Sequence, residues 1–307
     1  MTISPAAISD RGVVRDLNED RYAVISVDDT TVWVVCDGMG GVAGGDLAAQ
    51  LAVDAIRRTV IRDTGEELLE IVKSSLLEAN RVIVLRRQNP AFVNMGTTAV
   101  AFGVRDDEVV IANIGDSRAY WFSDTGLRQL TTDHTLVQTL VEHGELKIED
   151  ALNHPQAHVL TRCLGASTSP DIDILDMCLN FDGSSGSLLM CTDGLYSLVT
   201  DEEISDIMSK NPPETACARL ITLAKDRGGF DNITAAIIPV EGRLVTTASL
   251  PENYKRRVKK NRNQMPIIIG GNIPFSLKVV WCGVLGILGA LSSILIQSSR
   301  LLSSIQY

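Results

Sequence analysis

Positive charge is the first thing this sequence is short of. Its 307 residues hold 28 Lys and Arg against 38 Asp and Glu, a formal net charge of −10. Phosphate backbones demand basic surface, so a general nucleic-acid binder is excluded. Histidine is scarcer still, with only His134, His143, His154 and His158. The six cysteines (Cys36, Cys163, Cys178, Cys191, Cys217 and Cys282) include no C-x-x-C pair, and several sit inside apolar runs. That argues against a disulfide framework or a zinc site and for reduced, buried thiols. The opening MTISPAAISDRG has neither the basic start nor the apolar run of a secretory signal, which predicts a cytoplasmic domain.

What is present is a globular composition, 45% hydrophobic and 21% charged, long enough to bury a sizeable core. Short Val- and Ile-rich stretches bounded by Gly, Asp or Asn predict strands at Thr31–Cys36, Thr97–Val104, Glu108–Ile114, Arg118–Phe122, Ser187–Cys191 and Asn232–Val240. Apolar stripes at helical spacing predict helices at Asp46–Ile61, with Asp46 as its cap, and at Glu66–Gln88. Two more are expected at Thr200–Ser209, opened by a T-x-x-E capping box at Thr200 and Glu203, and at Glu214–Arg227. The pattern reads as an α+β domain in which antiparallel strands are flanked by helices.

Three regions follow: a globular domain over residues 1–241, a polar linker over 242–265, and a C-terminal anchor over 266–307. The linker ends in a basic cluster, Lys255, Arg256, Arg257, Lys259, Lys260 and Arg262. Beyond it, Val279–Ile296 is 18 residues without a charge, bracketed by Lys278 and Arg300 and with Trp281 near one end. At ~1.5 Å rise per residue this is enough to cross a bilayer core, so a single transmembrane helix is expected at about 279–298. The basic cluster places the globular domain on the cytoplasmic side and would attract anionic headgroups.

Four aspartates stand where predicted strands begin or end: Asp37 in VVCDGMGG, Asp116 in IGDSRA, Asp193 in CTDGL and Asp231 in GGFDNIT. Glu19 and Asp20 form an acidic pair in RDLNED. Any one of them alone reads as a turn or cap residue. Together, strands adjoining in a sheet would gather these carboxylates, and gathered carboxylates repel unless cations neutralise them. An oxygen-only ligand set without Cys or His selects hard ions such as Mg²⁺ or Mn²⁺, a recurring tool of phosphate chemistry.

Seven segments, VVRDLNED, VVCDGMGG, MGTTAV, ANIGDSRAY, LTTDHT, CTDGLYSLV and GGFDNITAAII, occur in an order that resembles the metal-dependent, type-2C protein phosphatases, particularly bacterial ones. The resemblance covers roughly residues 4–240. It implies a central β-sandwich of two antiparallel sheets with helices on both outer faces (αββα), and a site for two Mn²⁺ or Mg²⁺ ions at one end. It implies that Asp37 bridges both metals, that the Gly38 carbonyl binds one of them, and that Asp193 and Asp231 bind the other. Glu19 and Asp20 match the pair that holds metal-bound waters. Asp116, with Asp193, matches a weaker third metal site. Arg15 matches the phosphate-binding arginine, and Asn232 orients Asp231. The expected reaction is hydrolysis of phosphoserine and phosphothreonine in proteins by water activated between the metals, opposing a Ser/Thr protein kinase. Met39 stands where animal members often carry a histidine that serves as proton donor, which leaves the donor unassigned. His134, in TTDHT, is expected to be structural. The stretch from about Leu136 to Leu164 is expected to hold a flap beside the site.

Overall fold

The computed structural model describes residues 4–41 and 44–247. The chain forms two layers of antiparallel strands, with a layer of helices on each outer face. The inner layers are built by strict alternation. In β3 (Thr30–Met39), Val32, Val34 and Cys36 face one core, while Trp33 and Val35 face another. In β5 (Ala99–Arg105), Ala99 and Ala101 share the first core, and Val100, Phe102 and Val104 the second. A strand buried on both faces reads as a continuous apolar run, which is why these two stood out in the sequence.

The first layer runs β2 (Asp20–Val27), β3, β5, β6 (Glu108–Ile114) and then the first part of β9 (Asp173–Cys191). A two-residue strand, β4 (Gly96–Thr97), pairs with the end of β3. The second layer runs β1 (Ala6–Asp10), β10 (Ile233–Thr246), the last part of β9, β7 (Arg118–Ser123) and β8 (Gly126–Gln129). The middle core lies between the layers and holds Trp33, Phe102, Trp121, Leu188 and Ile238. Helices α1 (Gly44–Arg62) and α2 (Leu68–Arg86) cover the first layer. The four-residue α5 (Asp193–Tyr196), α6 (Asp201–Lys210) and α7 (Pro213–Asp226) cover the second. Two short helices, α3 (Leu136–Glu142) and α4 (Ile148–Ala151), lie in the predicted flap.

The expected two sheets are in fact one hydrogen-bonded system. Strands β9 and β10 pair with each other in both layers, and the ladder is interrupted where Glu241 pairs with Ser185 and Arg243 with Asn180. Four residues, Phe181–Ser184, stand there opposite the single Gly242, whose φ of +98° suits glycine. Asp173 pairs with Asn113 at the end of β6, whereas Cys191 pairs with Arg118 at the start of β7. Since only residues 115–117 join those two strands, β9 must leave the site end along one layer and return to it along the other.

The domain limit also shifts. Gly242 is not the start of a linker, because β10 resumes beyond it and pairs Thr246 with Met177. Helix α1 begins at Gly44, so Asp46 lies in its first turn, paired with Arg21, and does not cap it. The capping box at Thr200 and Glu203 is present as expected. Among the described residues no helix is long and apolar enough to cross a membrane. The basic cluster and the span expected at 279–298 lie outside the described residues.

Candidate active site

Antiparallel pairing brings the predicted carboxylates to one end of the layers. Asp20 opens β2 and stands directly opposite Asp37 near the end of β3. Like charges facing each other across a ladder are destabilising, so this pairing calls for a compensating cation. Asp116 lies just past β6, Asp193 begins α5 two residues after the end of β9, and Asp231 lies two residues before β10. Arg15 comes from the connection between β1 and β2, and its Nη2 donates to Asp231 Oδ2 at 2.7 Å.

Hydroxyl and amide groups hold these carboxylates in place. Thr192 and Thr234 donate to Asp20 Oδ2 at 2.9 and 2.6 Å. The Thr98 hydroxyl accepts from the Asp37 amide at 3.0 Å, and the Thr97 hydroxyl donates to the Asp37 carbonyl at 2.8 Å. Asn232 ties three segments together. Its amide donates to Asp231 Oδ1 at 2.8 Å, its Oδ1 accepts from the Glu19 amide at 2.7 Å, and its Nδ2 donates to the carbonyls of Arg11 and Leu17 at 2.9 Å each. Glu19 accepts from the Gly45 amide at the start of α1. Gly38 is packed so closely there that a Cβ would lie 2.1 Å from the Gly45 carbonyl oxygen. No other residue fits without moving α1.

The electrostatics are those of crowded anions. The Asp37 carboxyl is held well above the usual carboxylate range by desolvation, then by Asp20, Asp193, Asp116 and Asp231. Desolvation raises Asp20 to about 7, with Asp193 and Asp231 adding to it. Asp116 rises to about 8 through desolvation and then through Asp193. Asp231 is raised by burial and by Asp193. Asp20 Oδ1 and Asp193 Oδ1 are buried and have no hydrogen-bond partner. Buried oxygens without donors, beside carboxylates that resist ionising together, are what a hard-cation site presents before its ions bind. The residues therefore fit the group that the sequence implied.

All the predicted site residues converge here, and one further residue joins them. His158, in the flap, places Nδ1 2.9 Å from Asp193 Oδ2, and the bond to Asp193 raises its pKa. Asp116, His158 and Asp193 offer ligand atoms within 4.8 Å of one another. Nothing but its place in the flap segment distinguished this histidine in the sequence. His134 is buried, and its described contacts lie outside this cluster: its Nδ1 accepts from the Gly115 amide at 3.2 Å, and its Nε2 lies 3.1 Å from Asp173 Oδ2.

Behind the site, Arg118 makes a two-pronged pair with Asp133, stacks 3.6 Å over the Tyr196 ring and bonds the Tyr120 hydroxyl. Tyr196 in turn donates to the Asp116 carbonyl at 3.0 Å.

An αββα domain with a cluster of carboxylates at one end presents the oxygen-rich ligand set of a hard-cation site. Residues 13–219 match the family model for protein phosphatase 2C. The serine/threonine phosphatase stp of Listeria welshimeri is 39% identical over 237 residues, 75% of this chain and 93% of that protein. PstP of Mycobacterium tuberculosis is 34% identical over 76% of this chain and 44% of its own length. Among solved structures, Stp1 from Staphylococcus aureus superposes with a TM-score of 0.73 at 31% identity, covering 79% of this chain and 96% of that one. The catalytic domain of PstP in complex with two manganese ions gives 0.66 at 33% identity, over 77% and 97%. The chain belongs to the protein phosphatase 2C family.

Proposed function

We propose that this chain hydrolyses phosphoserine and phosphothreonine in proteins at the acidic end of the two strand layers, with Asp37, Asp193 and Asp231 as the ligands of two Mn²⁺ or Mg²⁺ ions. One observation carries the assignment: a single carboxyl, Asp37, lies within electrostatic reach of Asp20, Asp193, Asp116 and Asp231. When bound, such cations supply Lewis-acid polarisation of the phosphoryl oxygens and lower the pKa of a water.

The rest is done by the chain. Arg15 presents a planar fork of donors for two phosphoryl oxygens, and its contact with Asp231 sets that fork at the rim of the acidic floor. Asn232 fixes the orientation of Asp231 and the position of Glu19 at once. The Thr192 and Thr234 hydroxyls hold Asp20 Oδ2, leaving Oδ1 free to meet a ligand or its water. The Gly38 carbonyl and the Asp116 carboxylate complete the set, Asp116 with Asp193 serving a weaker third ion. The test is turnover of a phosphothreonine peptide with Mn²⁺, with excess chelator, and by Asp193→Asn. Activity in excess chelator, or near-normal turnover by the variant, refutes the assignment.

The membrane reading belongs here as well. The uncharged run Val279–Ile296 behind a basic cluster supports a single-pass anchor with the catalytic domain, now extended to residue 247, on the cytoplasmic face. Anchoring would hold the enzyme on the same surface as a membrane-borne Ser/Thr kinase whose products it removes.

A further inference from the structure

Large apolar side chains exposed singly are ordinary on a protein surface. Here several stand in the two segments that carry Arg15 and its partner Asp231. Val13, Val14 and Leu17 are 59%, 65% and 53% exposed, and they flank Arg15 in sequence. Phe230, 48% exposed, immediately precedes Asp231, the partner of Arg15. The two segments are fastened to each other. The Val13 amide donates to the Gly229 carbonyl at 2.7 Å, and Asn232 Nδ2 holds the carbonyls of Arg11 and Leu17. Their exposure is thus a fixed feature of the site mouth, held by the same Asn232 that orients Asp231. On the flap side, Val159 is 46% exposed and follows His158, which reaches Asp193.

We propose that this apolar rim, Val13, Val14, Leu17 and Phe230 with Val159 across the mouth, binds apolar side chains next to the phosphorylated residue of the substrate protein, and so selects the sequence around it. The inference rests on the phosphatase reading above. A phosphate delivered to Arg15 brings its neighbouring residues toward these side chains, because Val14 adjoins Arg15 in the chain and Phe230 adjoins Asp231, to which Arg15 is bonded. With the floor's carboxylates neutralised by cations, the rim discriminates by polarity: apolar neighbours lose water-exposed surface on both partners, whereas acidic neighbours would give up hydration against it. The rim is therefore continuous with the catalytic floor, and its occupant is the substrate chain itself.

The test uses the full chain in mild detergent with Mn²⁺. Substrates are three phosphothreonine peptides, identical except for Leu, Ser or Asp on both sides of the phosphoresidue, together with p-nitrophenyl phosphate, which has no neighbouring residues. Half-burying one such side chain is worth about fivefold in kcat/KM, about 1 kcal/mol at 1.36 kcal/mol per decade. Wild type is expected to favour the Leu peptide over the Ser peptide by about fivefold or more, with the Asp peptide slowest. The double variant V14S/F230S is expected to lose about fivefold or more on the Leu peptide alone and to keep its rate on p-nitrophenyl phosphate. Equal rates on the three peptides would overturn the proposal. So would a variant that slows both kinds of substrate alike. A wild type blind to the flanks that elutes as a dimer, with V14S/F230S monomeric, would assign the patch to a second copy and overturn it too. Failure of wild type on every substrate would instead strike the phosphatase reading, so the two failures are distinct.

Discussion

Removing the metals is expected to invert the pH dependence of stability. In the chelated protein Asp20 ionises near 7, against an ordinary value of 3.8 in the unfolded chain. Between those values the folded state holds a proton that the unfolded state has lost. Its contribution to stability is complete below pH 3.8 and is lost as the pH climbs through about 7. The interval of about 3 decades corresponds to about 4 kcal/mol. About 2 of those decades, about 3 kcal/mol, fall between pH 5 and pH 7; for a domain of this size each kcal/mol moves the melting temperature by about 2–4 °C, so in excess chelator the midpoint at pH 8 is expected to lie roughly 5–10 °C below that at pH 5. Asp116, raised to about 8, works in the same direction at the upper end of the window. With saturating Mn²⁺ the trend reverses, because the ligands must be ionised to bind and binding tightens as they deprotonate. Differential scanning fluorimetry at pH 5, 6, 7 and 8, with chelator and with Mn²⁺, reads both slopes. Asp20→Asn, neutral throughout, is expected to make the chelator series shallower, leaving the slope that Asp37 and Asp116 supply. A melting temperature independent of pH in chelator, or one that falls equally with and without Mn²⁺, would refute the crowded-carboxylate account.

Arg118→Ala leaves the Asp133 carboxylate, its two-pronged partner, without a counter-charge in a largely buried position. A loss of about 3–5 kcal/mol is expected, read as a lowered urea midpoint at unchanged slope; a shift under 1 kcal/mol would show that the pair contributes little. Arg15 is half exposed, so Arg15→Ala should keep its melting temperature while kcat/KM on a phosphopeptide falls tenfold or more; unchanged kinetics would remove it from the phosphate site. A chain ending at residue 247 is expected to remain soluble with full activity on p-nitrophenyl phosphate, whereas the full chain pellets with membranes and resists a high-salt wash. Release by salt alone would mean that the basic cluster, and not a spanning helix, does the anchoring.

Much of this arrangement is legible in the sequence. Glu108–Ile114 is a strand with the predicted limits because it is apolar on both faces. The aspartates could be singled out because a charged residue ending an apolar run is conspicuous, and antiparallel topology then collected them. Other elements carried weaker marks. β1, with its Ala and Ser content, is half-buried along its whole length and alternates nothing. The first half of β9 carries Asp173 and Asp176 among apolar residues and becomes a strand by pairing with β6. Residues 242–246 read as the start of a linker because Gly242 looks like a stop, and only the partner strand shows it to be an irregularity. The threonines that clamp Asp20 and Asp37 were invisible for a related reason: a hydroxyl does not reveal its partner until register fixes it. His158 depends on how the flap folds back, which no local pattern encodes.

The burial of Trp33 and Trp121 between the two strand layers has a practical consequence. Of the three tryptophans in the chain, these two belong to the middle core, and the third, Trp281, lies in the C-terminal stretch. A Trp281→Phe version would thus emit only from the interior of the sandwich. Its emission maximum would become an optical gauge of whether the two layers stay closed, independent of turnover and untouched by events at the tail.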